Sequence, residues 1–238
     1  MPPNSTWQNS IAPRVSRGAA FSLLMRRLIA ILLFLSALPA VGAPPEVVRD
    51  PNQPAARELV DLAALNAGFR FDLRYATANN FTHAVLYPIA RAYMRRDAAE
   101  ALVHAQQELA AQGLGLKIYD AYRPLSVQQR MWDLIHDDRY VSNPALNAGR
   151  HTRGTAVDLT LVDRSGHELR MPTDFDDFTE SAHRDAPGIP AEATKNAKLL
   201  EAVMIRNGFL PYPFEWWHFD FKDWKTHPAL DVPIEALR

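Results

Sequence analysis

The chain has 238 residues, of which 47% are apolar and 22% charged, with a formal charge of −1. That length suits one domain with a short extension, and the composition suits a soluble core; the charge gives no electrostatic reason to bind nucleic acid. Cysteine is absent, which excludes a disulfide framework, a lipid-modified N-terminal cysteine and any thiolate metal ligand. A transition metal, if bound, has to be held by histidine and carboxylate.

Residues 1–43 contain Arg14, Arg17, Arg26 and Arg27 and no acidic residue. After Arg26-Arg27 comes an apolar run, Leu28 to Leu38, then Pro39 and the small residues Ala40 to Ala43. A basic start, a short apolar run and a small-residue end predict a secretory signal peptide and export to the periplasm. The run falls short of the ~20 residues of a membrane span, so no stable span is expected once it is removed. An uncleaved anchor is the alternative, favoured by Pro44 next to the expected cleavage site. Met25 opens a complete signal by itself, so translation starting there is a second expectation. Without residues 1–43 the chain carries 22 basic and 27 acidic residues, a net −5.

Residues 44–56 hold four prolines and predict an extended linker, with the folded domain over 57–238. "ELVDLAAL" predicts a short helical or irregular stretch and "FRFDLRYAT" a strand with Phe69, Phe71 and Leu73 alternating. Asp97 to Gln112 predicts a helix with Ala98, Ala101, Leu102, Ala105 and Leu109 on one stripe, closed by Gly113. "GLKIYDAYR" (115–123) reads as a strand ended by Pro124. Ser126 is the expected cap of a helix running to Asp137 with Val127, Met131, Leu134 and Ile135 inward. "TAVDLTLV" (155–162) is the most strand-like segment, turned at Arg164-Ser165-Gly166. Ala191 to Asn207 predicts a helix capped by Gly208, and "FEWWHFDF" (214–221) enters extended after Pro211 and Pro213. The fold class is α+β: a single compact domain, a small, mostly antiparallel sheet with helices packed on it, and a metal site at the sheet.

Asp158 alternates with Val157, Leu159 and Leu161, so a regular strand turns it to the opposite face. A buried carboxylate needs a partner: an arginine is one reading and a metal the other. In "EWWH", Glu215 and His218 lie three apart. A zinc hydrolase needs three protein ligands, an open position for water and a carboxylate to take the water's proton. His151, Asp158 and His218 supply the ligands and Glu215 the base, provided the chain bends near Glu215, since strand residues three apart face opposite ways. Arg123, at the end of "YDAYR", can stabilise an oxyanion; a surface pairing with Asp120 is its alternative. The histidines at 83, 104, 136, 167, 183 and 227 have no partner at ligand spacing.

Taken together and in order, "YDAYRP", "HTRGTAVDLTL" and "EWWH" resemble the zinc D-alanyl-D-alanine dipeptidases, within the zinc D,D-peptidases, from about Phe71 to Phe221. The resemblance implies one catalytic Zn²⁺ on His151, Asp158 and His218, Glu215 as general base and Arg123 at the tetrahedral intermediate. It also implies a substrate pocket lined by Tyr75 of "RYAT" and Asp176 of "DFDDF", whose carboxylate suits the free amine of a small D,D-dipeptide. The implied function is hydrolysis of D-Ala-D-Ala, in recycling or scavenging of cell-wall fragments. A D,D-carboxypeptidase trimming peptidoglycan stems and a silent peptidoglycan-binding module are the alternatives. No pattern specifies an oligomer. One departure stands out: the family usually has serine two residues before the first ligand, where this chain has Gly149. Arg150 is the expected substitute as reader of the substrate carboxylate.

Overall fold

A computed structural model describes residues 46–237 of the chain. The expected signal peptide and Met25 start lie outside those residues, as do the first two positions of the expected linker. The rest of that linker is docked chain. β1 (Val47–Val48) pairs in parallel with a strand near the C-terminus, Val47 opposite Ala229 and Val48 opposite Leu230. α1 (Pro54–Arg57) follows with proline in its first turn, where the missing N–H has no helical partner to lose. Val48 and Ala56 are buried. The prolines therefore fix the dihedrals of a packed segment rather than space out a free one.

β2 (Leu59–Asp61) leads into α2 (Leu62–Leu65), whose first turn is capped by the Asp61 carboxylate accepting from the Ala63 N–H at 2.9 Å. The segment expected as one strand over 69–77 gives only β3 (Arg70–Phe71), then tightens into a 3₁₀ turn at Arg74–Ala76. Phe69 and Leu73 are buried but Phe71 is 36% exposed, because β3 is an edge strand with a neighbour on one side only. β4 (Tyr93–Arg95) pairs antiparallel with β2 and runs directly into α3 (Arg96–Ala110). Ala98, Leu102, Ala105 and Leu109 are fully buried along one face of α3, the two leucines contributing about 1.5–3 kcal/mol each by leaving water. Gly113, at φ +77°, turns the chain into β5 (Leu114–Asp120).

α4 (Leu125–Trp132) is shorter than its apolar pattern suggests. Its cap also differs: Pro124 occupies the cap position, and the Ser126 N–H donates to the Asp231 carboxylate at 2.8 Å. A residue 105 positions away thus supplies the acceptor that local sequence assigns to Ser126 itself. Leu134 lies beyond the helix and is 60% exposed. β6 (Ala156–Asp163) is followed by α5 (Ala191–Arg206), β7 (Phe209–Pro211), β8 (His218–Phe221) and β9 (Ala229–Leu230), the partner of β1.

The main sheet has the order β3-β5-β6-β8-β7, antiparallel except for β3 with β5. α3 and α5 pack on each other and on this sheet, so the architecture is the expected α+β one. Two details of register place the chemistry. Asp158 on β6 lies opposite His218 on β8. On the other side of β6, Leu116 faces Leu161 and Ile118 faces Leu159, but a bulge then sets Asp120 opposite Asp158. Without that extra residue Asp120 would fall opposite Val157, on the apolar face. No helix among the described residues is long and apolar enough to cross a membrane.

Candidate active site

Three elements converge where the bulged end of β5, the middle of β6 and the start of β8 meet. His151 comes from a 3₁₀ turn (His151–Arg153) closed by Gly154 at φ +70°. A Cβ on Gly154 would lie 2.6 Å from the Leu59 side chain, so glycine is required there for space as well as for dihedral. Asp158 and His218 are cross-strand neighbours. His151, Asp158 and His218 each offer one ligand atom, and the three atoms lie within 4.8 Å of one another.

The donor set fits a cation. His151 Nδ1 lies 2.6 Å from the Ala121 carbonyl, and His218 Nε2 lies 2.9 Å from Asp220 Oδ1. Both outer partners are pure acceptors, so each outer nitrogen carries its proton and leaves the inner nitrogen as a lone pair. Those inner atoms, His151 Nε2 and His218 Nδ1, are 3.2 Å apart. Asp158 adds its oxygens at 3.3 Å from the first and 3.0 Å from the second. Acceptors facing acceptors in a buried pocket cannot satisfy one another; a positive ion among them can. The same need for positive charge shows in His218, which binds a proton tightly where no metal ion competes for its inner nitrogen. Burial acts to lower the His218 pKa, yet Asp220 and Asp158 carry it up to about 10. Burial acts to raise that of Asp158, yet His151 and His218 hold it below its ordinary value.

Glu215 sits in the turn before β8 rather than in a strand. The turn is pinned from outside: the Trp216 N–H donates to the Ala182 carbonyl at 3.0 Å, and Arg184 donates to the carbonyls of Tyr212 and His218 at 2.7 Å each. The chain therefore bends where the spacing of Glu215 and His218 demands, and Glu215 Oε2 lies 3.8 Å from His218 Nδ1. Burial raises the Glu215 pKa well above its ordinary value, with Asp158 and Asp176 acting in the same direction.

Arg123 and Asp120 combine two readings that the sequence sets against each other. They do pair, with Nη2 and Nε at 2.8 and 3.1 Å from one Asp120 oxygen, but the pair is buried beside the centre. Tyr87 donates to the other Asp120 oxygen at 2.8 Å, and Arg123 Nη1 donates to Gln128 Oε1 at 2.8 Å. The guanidinium is thus fixed 3.9 Å from Asp158, farther from it than either histidine. Tyr75 and Asp176 also meet, the tyrosine hydroxyl donating to Oδ1 at 3.0 Å. Asp176 has φ +62°, an unusual backbone for aspartate, and its Oδ2 is buried without a partner. Burial pushes its carboxyl up to about 7. Asp174 is exposed, and Asp177 accepts from the Thr179 N–H.

All seven sequence-identified residues line one cleft. The side chains that orient them are less visible in sequence. Asp220 has a signal, since it lies two residues after His218 on the same strand face. Asp120 depends on the bulge, and Gln128 has no pattern of its own. Gly149 adopts φ +82° with Ser142 packed against it, so its backbone geometry itself selects glycine. Arg150 lines the cleft, but its guanidinium stacks on Trp224 at 4.6 Å and faces Asp220 at 3.3 Å.

Three converging ligand atoms beside a buried glutamate and a fixed arginine, on a small antiparallel sheet, have the form of a metallopeptidase centre. Comparison with known proteins gives the same class. A family model described as D-ala-D-ala dipeptidase matches residues 55–233. A D-alanyl-D-alanine dipeptidase of Escherichia coli is 39% identical over 73% of this chain and 89% of that protein. Proteins of the same name from Enterococcus faecium and Enterococcus faecalis are 31% identical over 71% of this chain and 94% of that protein, and 34% identical over 66% and 87%. The chain belongs to the D-ala-D-ala dipeptidase family of peptidases.

Proposed function

We propose that this chain is a zinc-dependent dipeptidase that hydrolyses D-Ala-D-Ala in the periplasm and so recovers fragments of the cell wall. The observation that carries the reading is the convergence of His151 Nε2, His218 Nδ1 and Asp158, all acceptors, beside Glu215. The relatives' names support the choice of substrate, and the basic-then-apolar start of the chain supports export.

Zinc held by these three residues would polarise the peptide carbonyl and acidify a water. Glu215, with Oε2 3.8 Å from His218 Nδ1, takes the proton of the attacking water and returns it to the departing amine. Arg123, held by Asp120 and Gln128, offers its charge to the oxygen of the carbonyl as it becomes anionic. Asp176 and Tyr75 receive the substrate's ammonium group, and the unpartnered Oδ2 is the acceptor left for it.

Incubating zinc-loaded protein with D-Ala-D-Ala, its N-acetylated form and a stem pentapeptide tests this directly. The reading expects fast cleavage of the free dipeptide and little of the other two, whose amines are blocked. Preferential cleavage of the pentapeptide would instead make the protein a carboxypeptidase, and no cleavage of any would remove the enzymatic reading.

A further inference from the structure

The polar groups along the cleft form a chain of contacts with Arg123 at its middle. On one side the Arg123 guanidinium lies 5.2 Å from the Tyr75 ring, and the Tyr75 hydroxyl donates to Asp176. On the other side Arg123 donates to Gln128 Oε1 at 2.8 Å, and Gln128 Nε2 donates to the Ser142 carbonyl at 2.9 Å. Gln128 is 2% exposed, so Ser142 is tied to Arg123 through one buried amide with both ends used. A dipeptide has the same order of groups: ammonium, scissile carbonyl, carboxylate. With the ammonium at Asp176 and the carbonyl at Arg123, the carboxylate would be directed to the end of this chain of contacts formed by Gln128 and Ser142.

The donors available at that end are few. Arg139 pairs with Asp137 at 2.7 Å, and Arg150 lies over Trp224 with its Nε 3.3 Å from Asp220, outside hydrogen-bond geometry, so its charge is spent on that ion pair although its N–H is not. The Gly149 N–H donates to Asn147 at 3.2 Å. The Ser142 hydroxyl has no hydrogen-bond partner among the described residues, and Ser142 lines the cleft. It stands against Gly149: a Cβ built on that glycine would lie 3.5 Å from Ser142 Cβ and 3.6 Å from its Oγ. The hydroxyl of residue 142 therefore occupies the neighbourhood that a side chain at 149 would enter.

We infer that Ser142 is a specificity-determining residue, its hydroxyl donating to the carboxylate of the substrate's second residue. The inference rests on the dipeptidase reading above. A hydroxyl reads a carboxylate without adding a charge to a cleft whose balance of carboxylates and cations is already set by the metal centre. The backbone that carries it is tied to Arg123 through Gln128, so the spacing between the carbonyl position and residue 142 is built into the protein before substrate arrives. That pre-organisation favours substrates in which the carboxylate directly follows the scissile bond by one residue.

The test compares D-Ala-D-Ala with its C-terminal amide on the wild-type protein and on Ser142→Ala and Ser142→Thr. Losing a hydrogen bond to a charged group should raise KM for the free acid roughly tenfold in Ser142→Ala, with kcat nearly unchanged. KM for the amide should stay within about twofold of wild type, since the charge that the hydroxyl reads is gone. Ser142→Thr, which keeps the hydroxyl, should retain the wild-type ratio of acid to amide. Equal changes for acid and amide, or no change for either, would overturn the role of Ser142 while leaving the dipeptidase reading in place. Wild-type protein inert toward D-Ala-D-Ala would overturn both.

Discussion

The floor of the cleft and its rim are built in different ways. The floor is sheet: Asp158 and His218 are opposed across β6 and β8, and the β5 bulge brings Asp120 alongside. Ladder hydrogen bonds on both sides of β6 fix these positions, which suits ligands whose geometry has to hold within fractions of an ångström. The rim is loop: Asp176 at φ +62°, Gly149 at φ +82° and Ser142 are held by side-chain and single backbone contacts. On the proposed assignment a rigid floor holds the metal and a locally specified rim chooses the substrate, so substitutions in the two regions should fail in different ways.

The largest effect is expected on the floor. Asp158→Asn removes the charge of the proposed ligand that lies opposed to both histidines. Zinc affinity should fall by at least the ~10–100-fold typical of lost outer-shell partners, and activity with it; titration of zinc into metal-free protein measures this. Wild-type affinity in that variant would break the contrast at its base. Next is Asp120→Asn, which leaves zinc bound but weakens the anchor of Arg123. Its expected signature is a kcat lowered about 10–100-fold with a much smaller change in KM, because an oxyanion forms only on the way to the transition state. An unchanged kcat would mean that Gln128 alone suffices to place the guanidinium.

On the rim, Asp176→Asn should raise KM for the free dipeptide about tenfold by removing a charge-assisted contact. The pH profile sharpens this expectation. Burial pushes the Asp176 carboxyl up to about 7, so the anionic form appears as pH rises through that value. The dipeptide ammonium is lost above about 8. Wild-type KM should therefore improve from pH 6 toward the interval between these values, and Asp176→Asn should lose that improvement. The smallest effect is reserved for Gly149→Ser. A side chain at φ +82° costs about 1–2 kcal/mol, which thermal unfolding would register as a drop of a few degrees. A Gly149→Ser protein as stable as wild type would contradict the backbone explanation for glycine at this position.

The same division explains what is legible in the sequence. Asp158 shows itself through strict alternation in an apolar strand, and the Glu215–His218 spacing announces a bend that the Pro-Tyr-Pro entry makes feasible. Those signals are local. Asp120 is not legible, because its face depends on one extra residue in the β5–β6 pairing. Nor is the docking of Val47–Val48, whose partner strand lies about 180 residues away in sequence, nor the capping of α4 by Asp231 in place of Ser126. Ser142 is illegible for a related reason: its proximity to Gly149 comes from a loop tied to Gln128, with no periodicity to mark it.

In the proposed mechanism, ligand binding and proton transfer fall to different residues a few ångströms apart, with Glu215 Oε2 3.8 Å from His218 Nδ1. Glu215→Gln tests it on a single sample measured for zinc content and for D-Ala-D-Ala turnover. One zinc per chain together with a kcat reduced at least ~10³-fold is the expected result, since one group serves as base and then as acid. Turnover near the wild-type level, or a protein that no longer holds zinc, would contradict it.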